Sequence, residues 1–518
     1  MAEIYAAPEM RHHNRSHAGG DWAYDLQTAI NKARPGDTVV LLPGRYYLPA
    51  TIAQSGTRKR PITLKAQVPG QAVFDGGERA DAGRQGDLTP LDGDFAMLRI
   101  FFADHIVLEG LRFENCWPTA IYMRAARHIT VRKCSGQKSR FFAYARQQAP
   151  DRLTHHLTFE DCTWVQDPDH LMWTGQFDWD EVKANRFSSL DSKRRVEFNA
   201  SYFNGAFFGC FDIAGKVIIR RCAISHAFNA IRMDMRRSCI GRGPNMARNR
   251  DVAIYDNTFS FIRDNAIEPE KGAQNWRVFN NRFYAVHAAF SLDLVTTRDF
   301  LVVGNVILND HRAGLLNGST EAQAGQGGRI FKFVRSSDAD PAPRKGLWSL
   351  YNSVQTRTSY AKKSTTAQWD DRYTLLGLYA AEHPEAPGEP RAAFSKFDWN
   401  TKVSIQGMVS DDGTFPKDYP PDKVSGRRVD RVFERPVFEY DAHDLGKVLG
   451  GWDGTLVPVP DAVEALSQPV KLRLAGGVKH TLPGGLTPGA QDVDVLGLGD
   501  WRKDWDDEPD WLTDAAGV

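Results

Sequence analysis

The sequence predicts an all-β fold, a right-handed parallel β-helix with an N-terminal capping helix and an irregular C-terminal cap. Three observations carry that expectation. Apolar six-residue segments recur along the chain at short, similar spacings. The last position of each segment holds a small residue or an amide. Within the segments apolar and polar residues alternate, which is strand periodicity with one face buried and one wet.

The first element is helical. In WAYDLQTAINKARPGD, Leu26, Ala29, Ile30 and Ala33 share one helical face, and Pro35-Gly36 stops the helix. The strand TVVLLPGRYY follows. An amphipathic helix at this point covers the otherwise open first rung, as solenoids require.

The repeat proper reads IVLEGL from Ile106, ITVRKC from Ile129, LTFEDC from Leu157, VEFNAS from Val196 and VIIRRC from Val217. It continues as VAIYDN from Val252, WRVFNN from Trp276, FLVVGN from Phe300 and LWSLYN from Leu347. The starts are 23, 28, 39, 21, 35, 24, 24 and 47 residues apart. The short spacings are single rungs, and the longer ones read as a rung plus a loop. The sixth position holds Cys134, Cys162, Ser201 and Cys222, then Asn257, Asn281, Asn305 and Asn352. Stacked amides can hydrogen-bond along a ladder at a tight turn, and Asn tolerates left-handed backbone. The thiols suit the same inward corner as packing residues. The leucine-rich repeat pattern and the marks of propeller blades are both missing.

From about Ser359 the pattern decays into Pro-rich, polar stretches such as HPEAPGEPR and KDYPPDK. We therefore expect residues 1–358 to form the capped β-helix. Residues 359–518 are expected to form terminal rungs and a C-terminal cap, or a small appended domain.

Composition narrows the function. The chain has 518 residues, 42% hydrophobic and 25% charged, with a net charge of +1, which argues against nucleic-acid binding driven by bulk charge. No apolar run approaches the ~20 residues of a membrane helix, so no membrane partner is expected. The opening MAEIYAAPEM lacks a basic stretch followed by an apolar one. Localisation stays open: secreted or periplasmic if a signal has been removed, otherwise cytoplasmic. Cys116, Cys134, Cys162, Cys210, Cys222 and Cys239 form no C-x-x-C pair, so no zinc motif is expected. His12-His13 and His155-His156 lack partners at ligand spacing and read as surface residues.

The opening carries a family resemblance. Leu26 to Tyr46 spell L-x-x-A-I-x-x-A-x-P-G-D-T-V-x-L-x-P-G-x-Y, followed by GTRKRPITLKAQVPGQAVFDGG and HIVLEGLRFENC. Over roughly Asp21 to Cys116 this resembles the chondroitinase-B and alginate-lyase family and bacterial β-helix carbohydrate enzymes generally. The resemblance implies a β-helix and lyase chemistry: a Lys base, an Arg assisting protonation, and Ca²⁺ held by carboxylates and an amide to neutralise a uronate. The family's Asn-Gly-x-Glu region followed by its Lys and Arg is not found, so no catalytic residue is carried over.

The candidate site comes from the repeats. Ala230-Ile231-Arg232-Met233-Asp234, Ala266-Ile267-Glu268-Pro269-Glu270 and Ala289-Phe290-Ser291-Leu292-Asp293 follow one template. On stacked rungs Asp234, Glu270 and Asp293 fall in a column about 4.8 Å apart. Two bare charges at that spacing repel by roughly 3 kcal/mol at an effective dielectric of ~20, so the column calls for a cation, a proton or a basic partner. Asp234, Glu268, Glu270 and Asp293 are the expected catalytic carboxylates, and Arg232 beside them is an expected catalytic residue as well. Lys271 and His287 are the expected proton-transfer groups. Asp234, Glu270 and Asp293 are the expected metal ligands, with Ca²⁺ as the cation, because hard cations take oxygen ligands. The bland alternative is a solvated sheet face neutralised by Arg232, Lys271 and Arg263. Upstream, Tyr122, Arg124 and Arg146 are expected to be exposed on the wet face. The loop MRRSCIGRGPNMARNR, with Arg236 and Arg237, adds cations for an anionic polymer.

Three functions follow. The first is a lyase on a uronate-containing polysaccharide or oligosaccharide. The second is a glycoside hydrolase or transglycosidase using two of the carboxylates, about 5–5.5 Å apart for retention and wider for inversion. The third is a non-catalytic β-helix that binds sugar or acts as an adhesin. The sequence does not give the oligomeric state.

Overall fold

A computed structural model of the chain describes residues 1–8, 15–16, 22–77, 96–146, 152–167, 204–235, 248–269, 272–293, 297–303 and 305–309. It also describes the strand residues 329–334, 347–350, 353–356, 361–363, 374–382, 390–398, 427–428, 436–437, 470–474 and 479–482. The chain divides into two compact units, principally residues 1–172 with 180–233, and residues 173–179 with 234–517.

The first unit is a parallel β-helix. One run of parallel strands passes through Glu3–Ala6, Thr38–Leu41, Ile62–Ala66, Asp104–Glu109, Arg127–Arg132, His155–Glu160 and Gly215–Arg220. The register sets Ile62, Ile106, Ile129, Leu157 and Val217 in one column, all buried. A second run passes through Gly44–Tyr46, Ala72–Asp75, Arg112–Glu114, Ser135–Gln137, Thr163–Val165 and Ala223–Ala227. A third passes through Ala50–Ile52, Ala96–Phe101, Thr119–Arg124, Phe141–Arg146 and Ala206–Phe211.

Left-handed residues mark the corners. His105, His128, His156 and Lys216 have φ of 57°, 55°, 56° and 55°, and Gly110, Lys133, Asp161 and Arg221 have φ of 68°, 53°, 55° and 50°. Each set recurs at one position of successive rungs, so the chain turns at the same place each time.

Charges on the outer face of the first run alternate in sign down a column. Lys65, Glu109, Arg132, Glu160 and Arg220 are in register. Arg132 Nε donates to Glu109 Oε2 at 2.9 Å, and Arg220 Nε donates to Glu160 Oε2 at 2.9 Å. Asp75 and Glu114 are also in register, and Arg45 Nη1 lies 2.5 Å from one carboxylate and 2.9 Å from the other. Adjacent rungs in this unit thus meet like charge with a counter-charge.

The helix forms as expected at Leu26–Lys32. Asp25 caps it, accepting from the Thr28 N–H at 2.9 Å. Leu26, Ala29, Ile30 and Ala33 are buried. The Gln27 amide both donates to Thr51 O at 2.9 Å and accepts from Thr51 N at 2.8 Å.

One segment of the repeat is corrected. Leu157 pairs directly with Val217, so VEFNAS is not a rung between them and Ser201 leaves the thiol column. Apolar alternation in an insertion imitates a rung over six residues, and only the pairing register tells them apart. The VEFNAS residues themselves lie outside those described. Cys134, Cys162 and Cys222 remain in column and buried, and the described cysteines are all free thiols. The second correction is at His155-His156. These residues are half-buried and lie beside His128.

The second unit carries the same architecture. Arg250–Tyr255, Gln274–Phe279, Arg298–Val303 and Leu347–Leu350 are parallel, with Val252, Trp276, Phe300 and Leu347 in register. The long strands Thr258–Pro269 and Arg282–Asp293 pair along their length. Arg282–Asp293 also pairs with Val306–Asn309 and Arg329–Val334, and these with Ser353–Thr356 and Ala361–Lys363. The amide ladder is present. Asn257 Nδ2 donates to Asn281 Oδ1 at 3.0 Å, and Asn281 Nδ2 donates to Asn305 Oδ1 at 3.0 Å. Trp276 stacks on Phe300 and Phe259 on Phe283, with centroids 5.6 and 4.9 Å apart. Beyond residue 363 the pairing is antiparallel, Thr374–Glu382 with Pro390–Asp398 and Val470–Leu474 with Lys479–Leu482.

Candidate active site

The first unit presents an aromatic and cationic grid. Arg99, Tyr122, Tyr144 and Gly209 are in register, and so are Phe101, Arg124, Arg146 and Phe211, two residues further along each strand. Strand alternation places both rows on one face. Tyr122 meets Phe101 edge-on at 5.8 Å and stacks on Tyr144 at 6.1 Å. The Arg124 guanidinium lies 5.5 Å from the Phe101 centroid and 5.6 Å from that of Tyr122, and Arg146 lies 5.6 Å from Phe211. Cation–π contact of this kind holds each guanidinium against a ring.

Tyr122 departs from expectation. It was expected to be exposed, yet it is fully buried. Alternation assigns it the outer face correctly, but Phe101, Tyr144 and Arg124 close over it. Burial raises its phenol pKa, against the opposing pull of Arg124 and Arg146. Arg124 and Arg146 are half-buried and remain on the face. Gly209 is required here, because a Cβ would lie 2.5 Å from the Phe141 ring and 2.8 Å from the Tyr144 ring. In this unit Arg232 Nη1 donates to Asn204 Oδ1 at 2.8 Å.

The second unit holds the acidic repeats. Asn265 pairs with Ala288 and Ile267 with Phe290, the alignment the template predicts for the Glu268 and Asp293 repeats. The same register sets Glu268 beside Ser291. Ser291 pairs with Lys332, and Lys332 with Lys362, while Asp293 pairs with Val334. Glu268 is half-buried at the end of its strand. Asp234 is half-buried and accepts from the Met235 N–H at 2.7 Å. His287 is buried at 3% exposure, so a substrate in solvent does not reach it directly. Glu270, Lys271, Arg236 and Arg237 lie outside the described residues, as does the side chain of Asp293.

Three residues escaped sequence reasoning. Lys332 Nζ lies 3.3 Å from Asp264 Oδ1 and 3.4 Å from Asn265 Oδ1. Asp264 and Asn265 are fully buried, and Lys332 is partly exposed. The pairing register shifts between Ile262 and Asn265, where the strand Thr258–Pro269 advances three residues while its partner advances two, from Val286 to Ala288. A bulge of this kind re-aims side chains and is common beside working sites. The signal was present in the sequence. Arg263-Asp264-Asn265 is a run of three polar residues that breaks the alternation, and RIFKFV places Lys332 on the wet side. The template followed one strand per rung and passed over both.

Of the expected cation ligands Asp234, Glu270 and Asp293, the side chain of Asp234 alone is among the described residues, and its carboxylate is the oxygen donor class a hard cation takes. Asp264, by contrast, already faces the Lys332 ammonium.

Residues 22–93 match the family model described as Chondroitinase B. No curated protein sequence matches the chain. Among solved structures it is similar to the pectate lyase Pel9A, at 12% identity and TM-score 0.43, covering 85% of this chain and 93% of that one. It is similar to an alginate lyase from Paenibacillus sp. str. FPU-7, at 14% identity and TM-score 0.38, covering 72% and 97%. It is also similar to a lacto-N-biosidase from Eubacterium ramulus, at 10% identity and TM-score 0.37, covering 74% and 67%.

Proposed function

We propose that the chain is a carbohydrate-active enzyme, a lyase that cleaves a uronate-containing polysaccharide by β-elimination. The observation that carries the reading is the register of the second unit. It pairs Ile267 with Phe290, so Glu268 of the one repeat adjoins Ser291 of the other, with Lys332 one strand further on. The N-terminal match to the Chondroitinase B model supports the same reading.

The roles follow from charge. β-Elimination needs the uronate carboxylate neutralised, the C5 proton removed and the O4 leaving group released. Lys332, whose ammonium lies 3.3 Å from Asp264 Oδ1, attracts the substrate carboxylate. Lys271, adjoining Glu270, takes the C5 proton at Nζ. Asp234, Glu270 and Asp293 would hold Ca²⁺, which when bound would supply further neutralisation of the uronate charge. Arg236 and Arg237 bind flanking uronates, since guanidinium pairs with carboxylate through two hydrogen bonds.

The test is a panel of pectate, alginate and chondroitin substrates, each with and without EDTA. The reading expects ultraviolet absorbance from the unsaturated product on at least one uronate polymer, lost with EDTA. Reducing ends released without that absorbance would assign the carboxylates to glycoside hydrolysis instead. Binding without turnover would assign a sugar-binding scaffold.

A further inference from the structure

Apart from the acidic repeats, the first unit brings together imidazoles that neither the fold nor the proposed chemistry uses. His105, His128 and His156 occupy one column, because Ile106, Ile129 and Leu157, the residues that follow them, are in register. All three adopt left-handed backbone, with φ of 57°, 55° and 56°. His is one of the few residues other than Gly enriched there. The rings of His105 and His128 stack at 4.4 Å, and those of His128 and His156 at 4.3 Å. His155 joins from the same strand as His156, its ring centroid 4.6 Å away.

We propose that His128, His155 and His156 form a binding site for a first-row transition-metal dication of the Zn²⁺ type. One ring nitrogen from each lies within 4.8 Å of the others, and among the described residues this is the group of His, Cys, Asp and Glu so placed. A tetrahedral centre with metal–nitrogen bonds of about 2.0–2.1 Å sets its nitrogens roughly 3.3 Å apart. The His155 and His156 Nδ1 atoms, at 2.5 Å, are closer than that, and the remaining pairs extend to 4.8 Å. Small ring rotations bring both to the required spacing.

Imidazole is the donor class that selects Zn²⁺, Ni²⁺ or Cu²⁺ over Ca²⁺. His128 is on the exposed side, which leaves the fourth position to water. Asp104 is the carboxylate that favours positive charge here, while Arg127, Lys216, Arg58 and His105 oppose it. The balance makes the site weaker than a closed structural zinc centre. The ligands come from two rungs, Arg127–Arg132 and His155–Glu160, so the metal staples one rung to the next.

The test uses the untagged full chain, stripped with EDTA and dialysed, then titrated with Zn²⁺ calorimetrically and with Co²⁺ by visible absorption. The chain has 14 histidines, so variants rather than stoichiometry locate the site. His128→Asn keeps a side chain that accepts left-handed backbone. The wild type is expected to bind one Zn²⁺, to give the intense spectrum of tetrahedral Co²⁺, and to melt higher with the metal. His128→Asn and the pair His155→Asn/His156→Asn are expected to lower Zn²⁺ affinity more than tenfold. Equal affinity in wild type and variants, or a Co²⁺ spectrum that stays octahedral in the wild type, would overturn the proposal. The Co²⁺ measurement decides even if a variant fails to fold.

Discussion

Replacing Asn281 with Ala removes the central amide of the ladder. The Asn281 side chain accepts from Asn257 N and from Asn257 Nδ2, each at 3.0 Å. It donates to Ile254 O at 2.9 Å, and to Phe279 O and Asn305 Oδ1 at 3.0 Å. All three amides are buried, so water does not replace what is lost. A buried polar group left unsatisfied costs about 1–3 kcal/mol. Losing the acceptor for the Asn257 N–H and its side-chain amide together therefore costs about 2–6 kcal/mol. In a unit of this size that lowers the melting temperature by roughly 5–15 °C. Asn281→Leu separates polarity from volume, because it fills the space without a hydrogen bond. The ladder predicts that both variants lose similar stability in urea unfolding. It also predicts faster hydrogen exchange at the Asn257 amide. A loss below about 0.5 kcal/mol in Asn281→Ala, or a Leu variant as stable as the wild type, refutes the ladder as a stabilising element.

Three further outcomes are expected. Lys332→Met should raise KM on an acidic polymer and lower stability, because the 1% exposed Asp264 carboxylate loses the ammonium facing it; Lys332→Met/Asp264→Asn should recover stability but not KM, as urea midpoints and steady-state kinetics will show. Replacing Arg236, Arg237 and Arg242 with Ser should raise KM on the polymer with little change in melting temperature, and unchanged kinetics would make the loop a bystander. At Asp75, burial pushes the carboxyl pKa up, but bonds from Asn115, the Gly77 N–H and Arg45 outweigh it and hold the pKa below its ordinary 3.8. Its contribution is therefore complete above that value and lost as pH falls through the lowered pKa, so Asp75→Asn should flatten the acid limb of the stability profile.

The β-helix was legible because its signals are local and repeated. The Asn257, Asn281 and Asn305 column could be read from one residue per rung, and the helix from four apolar positions. What escaped was set by register. VEFNAS has the right alternation but lies in an insertion that the Leu157–Val217 pairing bypasses. Tyr122 has the right face, yet its neighbours on adjacent strands bury it, and no single strand encodes them. Lys332 reaches Asp264 across the strand Arg282–Asp293, from a strand the spacing did not count. His128 meets His155 and His156 because 28 residues of chain, counted from Ile129 to Leu157, return to the same corner. Contacts between rungs depend on loop lengths, which alternation does not report.

The chemistry at the acidic strand ends is tested most directly by letting the enzyme act on a uronate polymer in ¹⁸O-labelled water and weighing the products. β-Elimination breaks the C4–O bond without adding water. Products lighter than the hydrolytic ones by one water, with no ¹⁸O incorporated at cleavage, are expected, and the yield should collapse in Glu268→Gln and Lys271→Ala while melting temperature holds. Products carrying one ¹⁸O per cleavage, or full yield from both variants, would contradict it.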